Sequence, residues 1–66
     1  MRIHLNGEAH DIQQGLSIAD LLAQLEMSGR RVAVELNLDI VPRSQHAETR
    51  LQEGDRLEVV HAIGGG

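Results

Sequence analysis

Apolar and polar side chains alternate over residues 2–6, which puts Ile3 and Leu5 on one face of an extended segment. Asn6-Gly7 follows, the pair that a type I′ hairpin turn favours because both central residues take positive φ. A returning strand over 8–12 is expected. The period then changes: Ile18, Leu21, Leu22 and Leu25 recur at helical spacing behind Ser17 as N-cap, with Asp20 in the first turn. Gly29 adopts a left-handed conformation at little cost and is the expected stop, giving a helix over 18–28. Residues 32–37 alternate again, with Val32, Val34 and Leu36 facing inward and Ala33 and Glu35 outward. Asn37-Leu38-Asp39 reads as a turn, with Leu38 standing where a small or polar residue is expected. Ile40-Val41 is a short strand closed by Pro42, whose missing N–H marks an edge or an end. Residues 43–50 are polar and expected to be irregular. Glu53-Gly54-Asp55 signals another turn, and 56–63 reads as a final strand with Leu57 and Val59 inward.

One helix with a single apolar stripe and four or five short strands bury those faces only if the helix lies across one side of a mixed sheet. This is an α+β, β-grasp arrangement. Short connections and right-handed crossovers favour placing the first and last strands side by side and parallel in the middle. The expected organisation is one domain over 1–63 followed by a glycine tail, Gly64, Gly65 and Gly66, leaving from the centre of the sheet. Three extended glycines reach roughly 10 Å at about 3.3–3.6 Å per residue.

Composition narrows the function. Sixty-six residues leave no room for a second core or a deep enclosed pocket, so the chain is not expected to be an enzyme. Phe, Tyr and Trp are absent, and the core must be aliphatic. With no cysteine, any sulfur chemistry must use the terminus instead of a side chain. A net charge of −4 disfavours binding nucleic acid through its phosphates. No run is long enough to span a bilayer and no signal-like apolar region opens the chain, so no membrane association and a cytoplasmic location are expected.

Other constellations have plain structural readings. His4, His10, His46 and His61 come without H-E-x-x-H, paired cysteines or a carboxylate cluster at ligand spacing, so no metal site is expected and the histidines read as surface or half-buried. Ser17 is a helix cap and not a nucleophile. The glycine run cannot cradle phosphate because no helix follows it. Arg43 is placed to anchor its irregular segment on backbone carbonyls, and Glu53 and Asp55 read as a solvated turn.

Taken together, Ile3-His4-Leu5-Asn6-Gly7, Leu16-Ser17-Ile18-Ala19-Asp20-Leu21-Leu22, Val32-Ala33-Val34-Glu35-Leu36-Asn37, Ile40-Val41-Pro42-Arg43, Glu53-Gly54-Asp55-Arg56-Leu57-Glu58-Val59-Val60 and Gly64-Gly65-Gly66 resemble, over the whole chain, the ThiS sulfur carriers of thiamin thiazole biosynthesis, a family with a ubiquitin-like β-grasp. The resemblance implies that Gly66 is activated to an acyl adenylate by an adenylyltransferase of the ThiF, or ubiquitin-activating, type using ATP and Mg²⁺. The carrier itself binds no cofactor. Sulfur from a cysteine desulfurase or another donor then yields a Gly66 thiocarboxylate, which a thiazole synthase of the ThiG type consumes. Such activation is chemically necessary, since an α-carboxyl is an anion at neutral pH and a poor electrophile. Gly64 and Gly65 would thread Gly66 into both enzyme sites. Docking of the globule is expected on the sheet face opposite the helix, over Arg2, His4, Ala33, Glu35, Glu58, Val60 and Ala62. The isolated chain is expected to be a monomer. Two alternatives remain open at this point: a MoaD-like molybdopterin, tRNA or other sulfur carrier, and a non-covalent β-grasp interaction module.

Overall fold

The first turn forms where the Asn-Gly pair stands, with Asn6 at φ 50° and Gly7 at φ 86°. In the computed structural model, which describes residues 1–61, this turn joins β1 (Arg2–Leu5) to an antiparallel β2 (Glu8–Asp11). The single helix α1 (Ile18–Gln24) follows, then β3 (Val32–Leu36), β4 (Asp39–Ile40), a 3₁₀ turn (Arg43–Gln45) and β5 (Arg56–His61). The sheet order is β2-β1-β5-β3-β4, with β1 and β5 parallel and the other neighbours antiparallel. The mixed sheet with its last strand between the first and third is the expected β-grasp. Residues 62–66, and with them the expectations for Ala62 and the three glycines, lie outside the described residues.

Alternation on each strand separates two sheet faces. Ile3, Val34, Leu57 and Val59 point toward α1 and are buried together with Ile18, Leu21 and Leu22, while Leu16 and Leu51 complete the cluster from the flanking loops. These are aliphatic side chains, each contributing about 1.5–3 kcal/mol on full burial. Leu21, 1% exposed, packs so tightly that its truncation to Ala should cost about 2–5 kcal/mol.

The capping reading is correct and more complete than a lone serine. The Ser17 hydroxyl accepts from the Asp20 N–H at 3.0 Å, while the Asp20 carboxylate accepts from the Ser17 N–H at 3.1 Å, a reciprocal capping box. The helix end differs from expectation. It finishes at Gln24, with Leu25 as C-cap and Glu26 in the left-handed region at φ 59°. The Met27 N–H donates to the Leu22 carbonyl at 2.8 Å and the Glu26 N–H to the Ala23 carbonyl at 3.1 Å, a Schellman closure. Met27 packs against the core beside Leu22. That apolar contact outweighs the preference for glycine at the left-handed position, and Gly29 serves the following turn at φ 78°.

Residues 43–50 are also more ordered than their polarity indicated. His46 is 6% exposed, its Nε2 lies 2.9 Å from the Val41 carbonyl, and its own carbonyl accepts from the Ala19 N–H at 3.0 Å. Arg43 donates to the Arg30 carbonyl at 3.0 Å and Arg50 to the Gly15 carbonyl at 2.6 Å, tying this segment to both ends of the helix connection.

Candidate functional site

The site is organised by β5, since the tail continues from it. One side of β5 is laced to β3 from Leu36↔Leu57 to Val32↔His61. The other side has only the two β1 rungs His4↔Arg56 and Leu5↔Leu57, because β1 ends at Leu5. Beyond that point a side chain replaces the missing strand. Asn6 Oδ1 accepts from the Val59 N–H at 2.8 Å, and Asn6 Nδ2 donates to the Val59 carbonyl at 3.2 Å. The amide thus copies a backbone peptide and prolongs the ladder by one residue. Its left-handed backbone at the hairpin turn is what aims the side chain along β5, a conformation that Asn tolerates better than most residues.

The start of β5 is held in the same manner. Asn37 Oδ1 accepts from the Arg56 N–H at 2.9 Å, and Asn37 Nδ2 donates to Asp55 Oδ1 at 3.1 Å. Asp55 Oδ2 accepts from the Gln52 N–H at 2.8 Å, and Glu53 Oε1 accepts from the Arg2 N–H at 3.0 Å. Glu53 and Asp55 therefore organise the turn that launches β5, with no acid/base arrangement. The sequence signal for the two asparagine clamps is present, since both stand at the first position of an expected turn, but the turn alone does not tell where the side chain points.

The face opposite α1 carries Arg2, His4, Ala33, Glu35, Glu58 and Val60 as alternation required, in rows fixed by the register. One row is Ala9, His4 and Arg56. The next is Glu58, Glu35 and Ile40. Val60 and Ala33 form the row nearest the end of β5. Arg2 lies beyond the first row, its Nε bonded to Asp11 Oδ1 at 3.1 Å. Through that hydrogen bond and charge, Arg2 holds the Asp11 carboxyl below the usual carboxylate range. Asp20 is likewise lowered, first by the hydrogen bond from the Ser17 backbone and then by the Ser17 side chain. Ile40 is 74% exposed and Val60 57% exposed, so this face keeps an apolar surface beside its carboxylates. A shallow depression of about 200 Å³, lined by residues that include His4, Asn6, Arg56 and Glu58, opens on it.

A second concavity, of about 180 Å³, lies between the end of α1 and the 3₁₀ turn, where Met27, Arg30, Arg43 and His46 contribute to its wall. Among the described residues no group of three or more His, Asp or Glu side chains gathers to hold a metal ion. No described helix is long and apolar enough to cross a membrane.

Comparison with known proteins fits this geometry. The model of the ThiS family matches residues 3–66. The chain is 35% identical over 66 residues to the sulfur carrier protein ThiS of Escherichia coli, covering 100% of both. It is 42% and 47% identical over 66 residues to the thiazole synthases of Paramagnetospirillum magneticum and Magnetococcus marinus. This chain spans only 20% of the length of each of those two relatives. A crystal structure of the thiamine biosynthesis protein ThiS from Geobacter metallireducens superimposes with a TM-score of 0.87 at 29% identity, covering 100% of both chains.

Proposed function

The chain belongs to the ThiS family, and from that premise we propose that it carries sulfur for the thiazole ring of thiamin as a thiocarboxylate on Gly66. One observation supports the reading above the others: the family match runs through residue 66 and so includes the three glycines that follow the central strand β5 in the sequence. The domain over 1–63 is then a handle and the glycines 64–66 the working arm. The chain is a protein cosubstrate and not a catalyst.

The chemistry needs two steps at the same atom. A carboxylate resists nucleophilic attack, so a ThiF-type adenylyltransferase joins the Gly66 carboxyl to AMP from ATP, with Mg²⁺ held by that enzyme and pyrophosphate released. Sulfide-level sulfur from a donor displaces AMP and forms the carbon–sulfur bond directly; a desulfurase persulfide displaces AMP to give an acyl disulfide, which a thiol of the partner enzyme or a small thiol then reduces to free the thiocarboxylate. The resulting thiocarboxylate carries its negative charge in part on sulfur, and anionic sulfur is the form that attacks electrophiles. A thiazole synthase accepts the sulfur, and the Gly66 carboxylate returns. The presence of segments like this one within proteins named thiazole synthase supports that acceptor over a molybdopterin or tRNA pathway.

This chain contributes position and slenderness. β5 is fixed on both flanks up to Val59 and His61, which gives the arm a rigid root. Gly64 and Gly65 have no Cβ to meet the wall of a narrow channel. Replacing Gly65 by Leu should abolish pyrophosphate release with the activating enzyme while leaving the unfolding midpoint unchanged. Pyrophosphate release at the wild-type rate would refute the threading role.

A further inference from the structure

The outward face carries a charge arrangement that folding does not explain. Glu35 and Glu58 are paired directly across β3 and β5. Directly opposite side chains sit about 4.5–5.5 Å apart at Cβ, and like charges in that relation destabilise a sheet. No cation relieves them: among the described residues the ion pair formed is Arg2 with Asp11, and Arg56, one row away, lies outside ion-pair distance of either. Glu35 is half-buried, flanked in its row by Glu58 and Ile40 and along its strand by Ala33. The half-buried Glu35 and the exposed Glu58 stand beside Ala33, Ile40 and Val60, of which the last two are large and mostly exposed.

Resting on the sulfur-carrier reading, we propose that these five residues form the docking surface for the thiazole synthase, and that an arginine or lysine of that enzyme seats between the Glu35 and Glu58 carboxylates. A cation there relieves the repulsion and gains from both carboxylates, while apolar neighbours exclude water and strengthen the pairing. Ala33, Ile40 and Val60 supply the area that a three-glycine contact lacks. That this partner is a thiazole synthase follows from the relatives in which a segment 42–47% identical to this chain is part of a protein of that name, so that the two stay within reach of each other. The placement also serves the reaction. Glu58 and Val60 lie on the strand that leads to the tail, and Gly66 stands six residues past Val60, at most about 20–22 Å away along an extended chain. A synthase that grips this patch fixes the radius within which the terminal sulfur can act.

A pair kept for binding has a signature that a pair kept for structure lacks: its removal weakens the complex and strengthens the fold. The test is calorimetric titration of the cognate thiazole synthase with the wild-type chain and with E35Q/E58Q, at low and high salt, beside thermal unfolding of each. The double variant should bind about tenfold more weakly, show a flatter salt dependence and unfold at a higher temperature. V60S, which removes exposed apolar area only, should weaken binding and keep the wild-type salt dependence. An E35Q/E58Q affinity within about twofold of wild type overturns the proposal, and so does a lowered unfolding temperature. Intact mass after the sulfur-loading reaction separates this inference from the reading beneath it. Thiocarboxylate on wild type and variant alike, with unchanged affinity for the synthase, sinks the docking surface alone. Loss of loading in the variant with synthase affinity retained assigns the surface to the activating enzyme and overturns the proposal. No thiocarboxylate on the wild-type chain sinks the sulfur-carrier reading.

Discussion

Asn6 offers the sharpest structural prediction, because one side chain both shapes a turn and completes the central ladder. Asn6→Gly keeps the left-handed backbone available and removes only the amide that spans the Val59 N–H and carbonyl. Two partly buried hydrogen bonds, each worth about 0.5–1.5 kcal/mol net, put the loss near 2 kcal/mol. Asn6→Ala removes the same bonds and costs somewhat more, because Ala tolerates the left-handed backbone less well than Asn does. A 66-residue domain has about 3–10 kcal/mol of stability at 0.05–0.15 kcal/mol per residue, so either change takes a large share. At about 4–8 °C per kcal/mol, Asn6→Gly should lower the unfolding midpoint by roughly 8–16 °C, and Asn6→Ala by more. The chain has no Trp or Tyr, so the assay is far-ultraviolet circular dichroism against temperature and urea, with amide exchange at Val59 as the local probe. Exchange at that amide should accelerate ahead of the rest of β5. If Asn6→Gly unfolds within about 2 °C of wild type, the side chain does not hold the root of the arm and the clamp is wrong.

Ser17→Ala removes the acceptor for the Asp20 amide and should cost about 1 kcal/mol in urea unfolding; an unchanged midpoint would show that the box does not support α1. Leu38, 83% exposed at φ 75°, and Glu26 at φ 59° both sit where glycine is unstrained, so L38G and E26G should each raise the midpoint by a few degrees, a gain of about 1 kcal/mol. A decrease in both would show that side-chain contacts outweigh the backbone term. The lowered pKa values of Asp11 and Asp20 mean that folding releases protons at low pH. Their stabilising contribution is complete above the unfolded value near 3.9 and is lost as pH falls through the lower folded values. Unfolding temperature should therefore drop below about pH 4, and Asp20→Asn should flatten that drop; an identical pH profile for the variant would exclude the Asp20 contribution.

Much of the architecture is legible because its determinants are local. Asn6-Gly7, the Ser17 cap and the alternation of Val32 to Leu36 each state their structure within a few residues. The parts that escape local reading are set by contacts distant in sequence. The helix ends at Gln24, with Glu26 in place of Gly29 as the left-handed residue beyond it, because Met27 finds an apolar seat beside Leu22, and no residue type announces that seat. The segment after Pro42 acquires its 3₁₀ turn because the His46 carbonyl meets the Ala19 amide and its ring meets Val41, contacts that a polar run does not disclose. Of the sheet face opposite α1, alternation identifies Ala33, Glu35, Glu58 and Val60, but the register is needed to show that the two glutamates oppose each other and that Ile40 joins them. Arg2 belongs to the same face and is engaged with Asp11.

The most direct test of the account is the intact mass of the chain after incubation with its activating enzyme, ATP, Mg²⁺ and a sulfur donor, followed by mapping of the change. We predict a single oxygen-for-sulfur exchange located at Gly66, absent without ATP and absent from a chain ending at Gly65. A sulfur carried anywhere else in the chain, or an unmodified Gly66 in a reaction mixture that supports thiazole formation, would contradict the claim that the terminal carboxyl is the working group.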